Sequence, residues 1–101
     1  MAYWKHKHVQ STGVTTVSIS SGVLLHGFVL NQKSTAATST SLVTIYDATT
    51  TLASTAAGVV GICDIVGVSA ADYMYDAELD NGLTISVGGG AAPVDLTVLY
   101  R

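Results

Sequence analysis

The chain has 101 residues, of which 49% are apolar and only 11% charged, and its formal net charge is −3. This composition excludes a disordered chain and is typical of one folded domain. Residues 1–33 carry three lysines and no acid, whereas residues 34–101 carry seven acids and one arginine. An acidic body argues against nucleic-acid binding, which requires a basic surface. The basic start is compatible with head-to-tail contact between copies.

Cysteine content and hydropathy indicate the cellular compartment in which the chain is made. Cys63 is the single cysteine, so the chain has neither an internal disulfide nor a cysteine-based metal cluster, and we expect synthesis in a reducing cytoplasm. Residues 1–10 lack the apolar segment of a signal peptide. The longest apolar run, residues 59–68, is interrupted by Asp64 and is too short to span a bilayer, so we expect no membrane association.

The first segment is predicted to be an N-terminal arm, residues 1–12, that orders against a partner. Trp4 and two histidines alternate in it with Lys5 and Lys7, as in a strand. We expect Trp4 to anchor a partner and both lysines to meet acidic surface, which makes these three the predicted partner-binding residues. The alternative for Trp4 is ordinary packing onto its own domain.

Residues 13–101 are predicted to form a single β domain. Strands are expected at residues 14–20, 23–30, 41–47 and 59–68, with polar loops at 31–40 and 48–58. The strand at 23–30 is apolar on both faces. It is therefore either a central strand covered on both sides or one shared with a neighbouring subunit.

The C-terminal third alternates apolar and polar residues in three segments, at residues 73–79, 83–87 and 94–100. Asn81-Gly82 lies between the first two and predicts a tight hairpin, because both residues tolerate positive φ. Gly88-Gly89-Gly90 predicts a second hairpin loop. The expected fold is all-β: a small antiparallel β-sandwich or barrel of about seven strands, ending in a three-stranded meander.

No catalytic constellation occurs in the sequence, which favours a protein that is not an enzyme and has no cofactor. His6 and His8, with His26 as a third ligand, would suit zinc, but strand histidines in a terminal arm are more often only polar.

The acidic run Asp76, Glu78 and Asp80 resembles the start of a calcium loop but lacks the EF-hand spacing. A solvated strand edge that prevents sheet-to-sheet aggregation is the favoured interpretation, so no metal is predicted. Cys63 is interpreted as a small buried residue and not as a nucleophile.

Three segments carry a resemblance to a known class of proteins: Tyr73–Tyr75, Asn81-Gly82-Leu83-Thr84-Ile85, and Asp95-Leu96-Thr97-Val98-Leu99-Tyr100. They resemble a pattern common in small structural proteins of tailed bacteriophages. The upstream segments Gly22-Val23-Leu24-Leu25-His26-Gly27 and Ile45-Tyr46-Asp47-Ala48 also fit this pattern, so the similarity covers roughly residues 22–101.

The resemblance implies a virion component, most plausibly a capsid decoration (cement) protein that binds the major capsid protein and stabilises the lattice. The expected location is the capsid surface, after synthesis in the host cytoplasm. The expected state is a homo-oligomer, most plausibly a homotrimer.

A second function stays open at this stage. A receptor- or carbohydrate-binding module of a phage tail or head fibre would require exposed aromatic side chains beside Asp or Asn. Tyr73, Tyr75 and Tyr100 are the residues that could supply them.

Overall fold

The computed structural model describes residues 4–10, 13–31, 41–53, 55–65, 71–89 and 95–101. In this part of the chain the fold is all-β, as predicted, and no residue is helical. None of the described residues belongs to a helix of the length and apolarity that a membrane span needs. The described strands are β1 Lys5–Val9, β2 Gly13–Ser18, β3 Val23–Leu30, β4 Ser41–Tyr46, β5 Val59–Asp64, β6 Ala71–Leu79, β7 Leu83–Gly89 and β8 Leu96–Tyr100.

These strands form two antiparallel sheets of four strands each. The first sheet has the order β1-β8-β3-β6 and the second the order β2-β7-β4-β5. The predicted β-sandwich is therefore confirmed. The described residues contain eight strands where about seven were expected, because the segment assigned to an arm forms β1.

The strand pairing follows one long ribbon folded back on itself. β4 pairs with β5 at its tip, then β3 with β6, β2 with β7 and β1 with β8. Successive pairs of the ribbon fall in opposite sheets: β4–β5 and β2–β7 lie in the second sheet, and β3–β6 and β1–β8 lie in the first. Wrapping the ribbon brings β8 beside β3 and β7 beside β4. This is the eight-stranded jelly-roll arrangement of two sheets.

The predicted C-terminal meander is wrong. β6 and β8 lie in the first sheet and β7 lies in the second, so neither pair of consecutive strands is hydrogen-bonded. Period-2 alternation indicates that a strand has one buried face, but it does not identify the strand's neighbours. Leu79 and Leu83, on either side of the Asn81-Gly82 turn, enter the same core from opposite sheets.

Asn81-Gly82 is therefore a corner between the sheets and not a hairpin. The Asp47 carboxylate holds this corner, accepting the backbone N–H groups of Asp80 at 3.2 Å and Asn81 at 2.8 Å. The second predicted hairpin, at Gly88–Gly90, also connects strands of different sheets, and Gly90 itself lies outside the described residues. The predicted loop at 31–40 and the end of the predicted strand at 59–68 also fall largely outside them.

The core lies between the two inner faces. β3 is central in the first sheet, between β8 and β6, and its inner side chains are buried, whereas Leu24 and Val29 on its outer face are half-buried. Burial of each large apolar side chain contributes about 1.5–3 kcal/mol. The buried cluster comprises Val9, Val23, Leu25, Phe28, Leu30, Val43, Ile45, Ile65, Leu79, Leu83, Ile85, Val87, Leu96 and Val98.

A pair of β-bulges interrupts the first sheet at His26. Leu25 pairs with Ala77 of β6 but Gly27 pairs with Met74, so two residues of β6 lie opposite His26. One of them, Asp76, has a φ of +49°, a left-handed conformation that aspartate tolerates better than most residues. A Cβ at Gly27 would overlap the carbonyl oxygen of Tyr73, so only glycine fits there. Bulges of this kind redirect side chains.

Candidate binding face of the first sheet

The outward side of the first sheet presents candidate functional side chains from all four of its strands. We call this surface the outer face. It carries apolar, aromatic and charged groups together. Its members are Trp4, His6, His8, Leu24, His26, Val29, Asp72, Met74, Asp76, Glu78, Thr97, Leu99 and Arg101.

At one end of the outer face, four residues from four segments meet, and we call them the Trp4 cluster: Trp4, His26, Asp76 and Arg101. The Trp4 ring stacks on the His26 ring with a centroid distance of 4.7 Å and an interplanar angle of 25°. The Arg101 guanidinium carbon lies 4.7 Å from the centroid of the Trp4 ring, within the range of a cation–π interaction. His26 Nδ1 lies 2.5 Å from Asp76 Oδ1.

Backbone geometry positions these four side chains. The bulge on β6 directs Asp76 towards His26 on β3. Arg101, at the end of β8, exchanges two backbone hydrogen bonds with Leu24, of 2.7 and 2.9 Å. Trp4 precedes β1, which pairs with β8 in unbroken register. Four strands therefore meet at this cluster: β3 and β6 contribute His26 and Asp76, and the ends of β1 and β8 position Trp4 and Arg101.

The arrangement is suited to recognition. Trp4 remains accessible to a partner, because 43% of the residue is exposed. Met74 on the same face is 45% exposed. Trp, Arg and Met are enriched in protein–protein interfaces, and Trp and Arg supply much of their binding energy. The Asp76 carboxylate fixes the His26 ring, so the surface under Trp4 is held in place by the fold.

A second polar network ties together three strands of the first sheet. The Asn31 side-chain amide donates to Asp95 Oδ1 at 2.8 Å and to Thr97 Oγ1 at 3.1 Å, and His8 Nε2 lies 2.5 Å from the same Asp95 oxygen. Hydrogen bonds from Asn31 and then from His8 hold the pKa of Asp95 below its ordinary value. The network fastens β1 and the start of β8 to the end of β3.

The three predicted partner-binding residues do not lie on one surface. Trp4 lies on the outer face, whereas Lys5 and Lys7 pair in register with Tyr100 and Val98 and so alternate to the other side of β1. The segment expected to order only against a partner pairs with its own domain through β8. Val9, at the end of this segment, is buried in the core. A detached arm would leave Val9 exposed.

The metal candidates are not assembled into sites. His8 bonds to Asp95 while His26 stacks on Trp4, so these two histidines serve different contacts. Asp76 and Glu78 point outward from β6, and Asp76 is engaged by His26. Among the described residues, no three His, Cys, Asp or Glu side chains are placed to hold a metal ion.

The tyrosines considered for sugar binding point inward. Tyr73 stacks on buried Phe28 with a centroid distance of 4.7 Å, and Tyr75 and Tyr100 pack against the core. Tyr75 Oη lies 3.0 Å from Cys63 Sγ on the opposite sheet, and burial raises the pKa of Tyr75. Tyr73, Tyr75 and Tyr100 therefore do not form an exposed cluster, because they lie on the core-facing sides of β6 and β8.

Sequence reasoning missed the Trp4 cluster as a unit. It considered His26 only as a third metal ligand, and it gave Arg101 no role. The four residues lie far apart along the chain, and only the wrapping of β1 and β8 onto β3 brings them together. No local pattern predicts that contact.

Comparison of the chain with known protein families, curated proteins and solved structures finds no match.

Proposed function

We propose that this protein is a capsid decoration subunit of a tailed bacteriophage, which binds the assembled capsid lattice through its outer face. The observation that carries the proposal is the exposed Trp4, which stacks on His26 and contacts the Arg101 guanidinium on the outer face. Such a surface suits docking on another protein. The resemblance of residues 22–101 to phage structural proteins supports the choice of partner.

The energetic argument follows from rigidity. A preordered Trp side chain loses little conformational entropy on binding, so burying its exposed part contributes directly to affinity. Met74 and Leu99 extend the apolar surface next to it, and the charged residues Asp72, Glu78 and Arg101 surround it. An apolar centre with a polar rim is the usual anatomy of a protein interface.

The jelly-roll arrangement is compatible with the proposal but does not select it. The same arrangement occurs in viral capsid domains and in lectins, and a fold does not imply a function. The inward orientation of Tyr73, Tyr75 and Tyr100 removes the aromatic residues on which the fibre-module alternative depended. Capsid decoration is therefore the better-supported candidate.

Binding of the subunit stabilises the capsid lattice by mass action, because the subunit binds the assembled form and not its separated parts. The test adds purified protein to expanded, undecorated capsids of the phage that encodes it. We expect saturable binding and a higher temperature of capsid disruption. Trp4→Ala and Met74→Ala are each expected to weaken binding at least about tenfold, the loss of roughly 1.4 kcal/mol that is typical of an interface anchor.

Ile62→Ala is the matched control. Ile62 is 48% exposed, close to the exposure of Trp4, but it lies on the outward side of the second sheet. Wild-type affinity in the Trp4 and Met74 variants would refute the assignment of the face. A chain that ignores capsids and binds host polysaccharide would instead support the fibre-module function.

A further inference from the structure

The first sheet ends in two edge strands of opposite charge. β1 pairs only with β8, and β6 pairs only with β3, within the residues that the structure describes. In β1 the exposed side chains are Lys5, His6, Lys7 and His8. In β6 they are Asp72, Met74, Asp76 and Glu78.

The second sheet does not share this pattern. Its edge strand β2, Gly13–Ser18, has no charged residue, and its edge strand β5 has only Asp64. β5 lies on the same side of the sandwich as β6, since Tyr75 of β6 contacts Cys63 of β5. One side of the sandwich is therefore acidic and the opposite side is basic.

An unpaired strand edge is a template for pairing with another chain, and charge decides which pairings are allowed. Two β1 edges repel each other, and so do two β6 edges. We propose that two copies of this chain associate head to tail, with the β1 edge of one copy against the β6 edge of the next. This contact is heterologous, so further copies add to it in a ring or an open row.

The directions of β1 and β6, and the side of the sheet on which their side chains lie, agree with this contact. Within one sheet β1 and β6 run in opposite directions, because three antiparallel pairings separate them. A neighbour that continues the sheet in the same orientation therefore places its β1 antiparallel to β6. His6 and His8 then lie on the same outward side as Asp72 and Glu78 of the neighbouring copy.

The contact depends on charge more than on backbone pairing. The bulge at Tyr75–Asp76 interrupts the edge of β6 and leaves two regular runs, Ala71–Met74 and Ala77–Leu79. A run of four residues or fewer supplies few interstrand hydrogen bonds. Lys5 and Lys7 lie on the other side of β1 from the outward-facing acids, so their attraction to the neighbour's acids acts across the strand and is screened by salt, whose Debye length is ~8 Å at physiological ionic strength. Association is therefore expected to weaken as salt is added.

The inference does not rest on the proposed capsid function, since it concerns the purified chain alone. The test uses sedimentation velocity over a range of protein concentrations at low and high salt. The wild-type chain is expected to form concentration-dependent oligomers at low salt. Their dissociation constant should rise at least about tenfold on adding 0.5 M NaCl, as screening predicts for exposed charges.

Charge reversal on either edge sharpens the test. One variant carries Lys5→Glu and Lys7→Glu, which makes both edges acidic. The other carries Asp72→Lys and Glu78→Lys, which makes both edges basic and leaves Asp76 with His26. Each variant alone should remain monomeric, and an equimolar mixture should regain oligomers, because every edge then finds its opposite.

The matched control is Thr50→Glu with Thr51→Glu, which changes net charge at exposed positions between β4 and β5. It should associate like the wild type. A far-UV circular dichroism spectrum identifies any variant that fails to fold. A wild-type chain that is monomeric at low salt and about 1 mM protein overturns the inference, as does self-association of either reversed variant alone. Stronger association after Asp72→Asn and Glu78→Gln would show that the acids only protect the edge.

Discussion

Gly82 shows how one residue sets the corner between the two sheets. Its φ is +141°, and a Cβ there would lie 2.9 Å from the Ser18 carbonyl oxygen and 3.0 Å from that of Ala48. The sequence predicted a special backbone at this position for a hairpin, whereas the structure requires it for a crossing from β6 to β7.

Gly82→Val is expected to lower the free energy of unfolding by about 1–3 kcal/mol through backbone strain, with close contact adding to it. Urea unfolding followed by Trp4 fluorescence measures the change. Gly88→Val serves as the control, because nothing lies within 4 Å of a Cβ there. Equal stability of the Gly82 variant and the wild type would contradict the assigned corner.

Gly61 provides the space for a side chain from the opposite sheet. A Cβ at Gly61 would lie 2.8 Å from ring carbons of Tyr75 and closer still to its hydroxyl. Gly61→Ala is expected to destabilise the fold by about 1–3 kcal/mol, as overpacking does.

A double-mutant cycle isolates this contact. In a Tyr75→Leu background the added methyl group no longer meets a ring, so Gly61→Ala should cost clearly less than in the wild type. The measurement is again urea unfolding of the four proteins. Additive costs would show that Gly61 is needed for its backbone and not for Tyr75.

At the scale of elements, Asp95 fastens the start of β8 to β3 and β1. Its pKa in the folded state lies below the ordinary value, so the ionised carboxylate stabilises the fold at neutral pH. That stabilisation is present above the unfolded-state pKa, and it is lost as the pH falls below about 4 and through the folded-state pKa.

Asp95→Asn is therefore expected to lower the Tm at pH 7. The difference in Tm between variant and wild type should shrink as the pH approaches 2. Asp72→Asn, an exposed aspartate on β6, changes net charge equally and is the control. A Tm difference for Asp95→Asn that stays constant from pH 7 to pH 2 would show that the charge of Asp95 does not stabilise the fold.

The sequence predicted most strands because their patterns are local. β3 was predicted at its observed bounds, Val23–Leu30, and β4 and β7 were predicted to within two residues at each end. β1 was recognised as strand-like but assigned to an arm. Nothing in Lys5–Val9 except Val9 indicates burial, and its partner β8 lies at the other end of the chain.

At the scale of the whole molecule, the rolled ribbon places both described ends of the chain side by side. The Trp4 ring and the Arg101 guanidinium are in contact, and β1 and β8 pair along their full length. The connection between β4 and β5 is the tip of the ribbon, three strand pairs away from the pair β1–β8. Its residues 49–51 are exposed.

This topology predicts that a circular permutant folds. A short glycine linker would join Arg101 to Trp4, and the chain would be opened between Thr50 and Thr51. Because every strand pair is kept, we expect the same far-UV circular dichroism spectrum and a modestly lower Tm. A permutant opened within β3, which is central in the first sheet, should not fold. Failure of the first permutant to fold would argue against the ribbon order.

The sequence by itself determined the all-β class, the buried face of most strands and the unequal distribution of charge, because each depends on residues that are neighbours along the chain. The tertiary structure alone decided which strands pair. It replaced a meander with alternation between two sheets, turned Tyr73, Tyr75 and Tyr100 inward, and assembled Trp4, His26, Asp76 and Arg101. The physical reason is that period-2 alternation specifies a face but not a partner, and partners here are chosen by burial of one shared core.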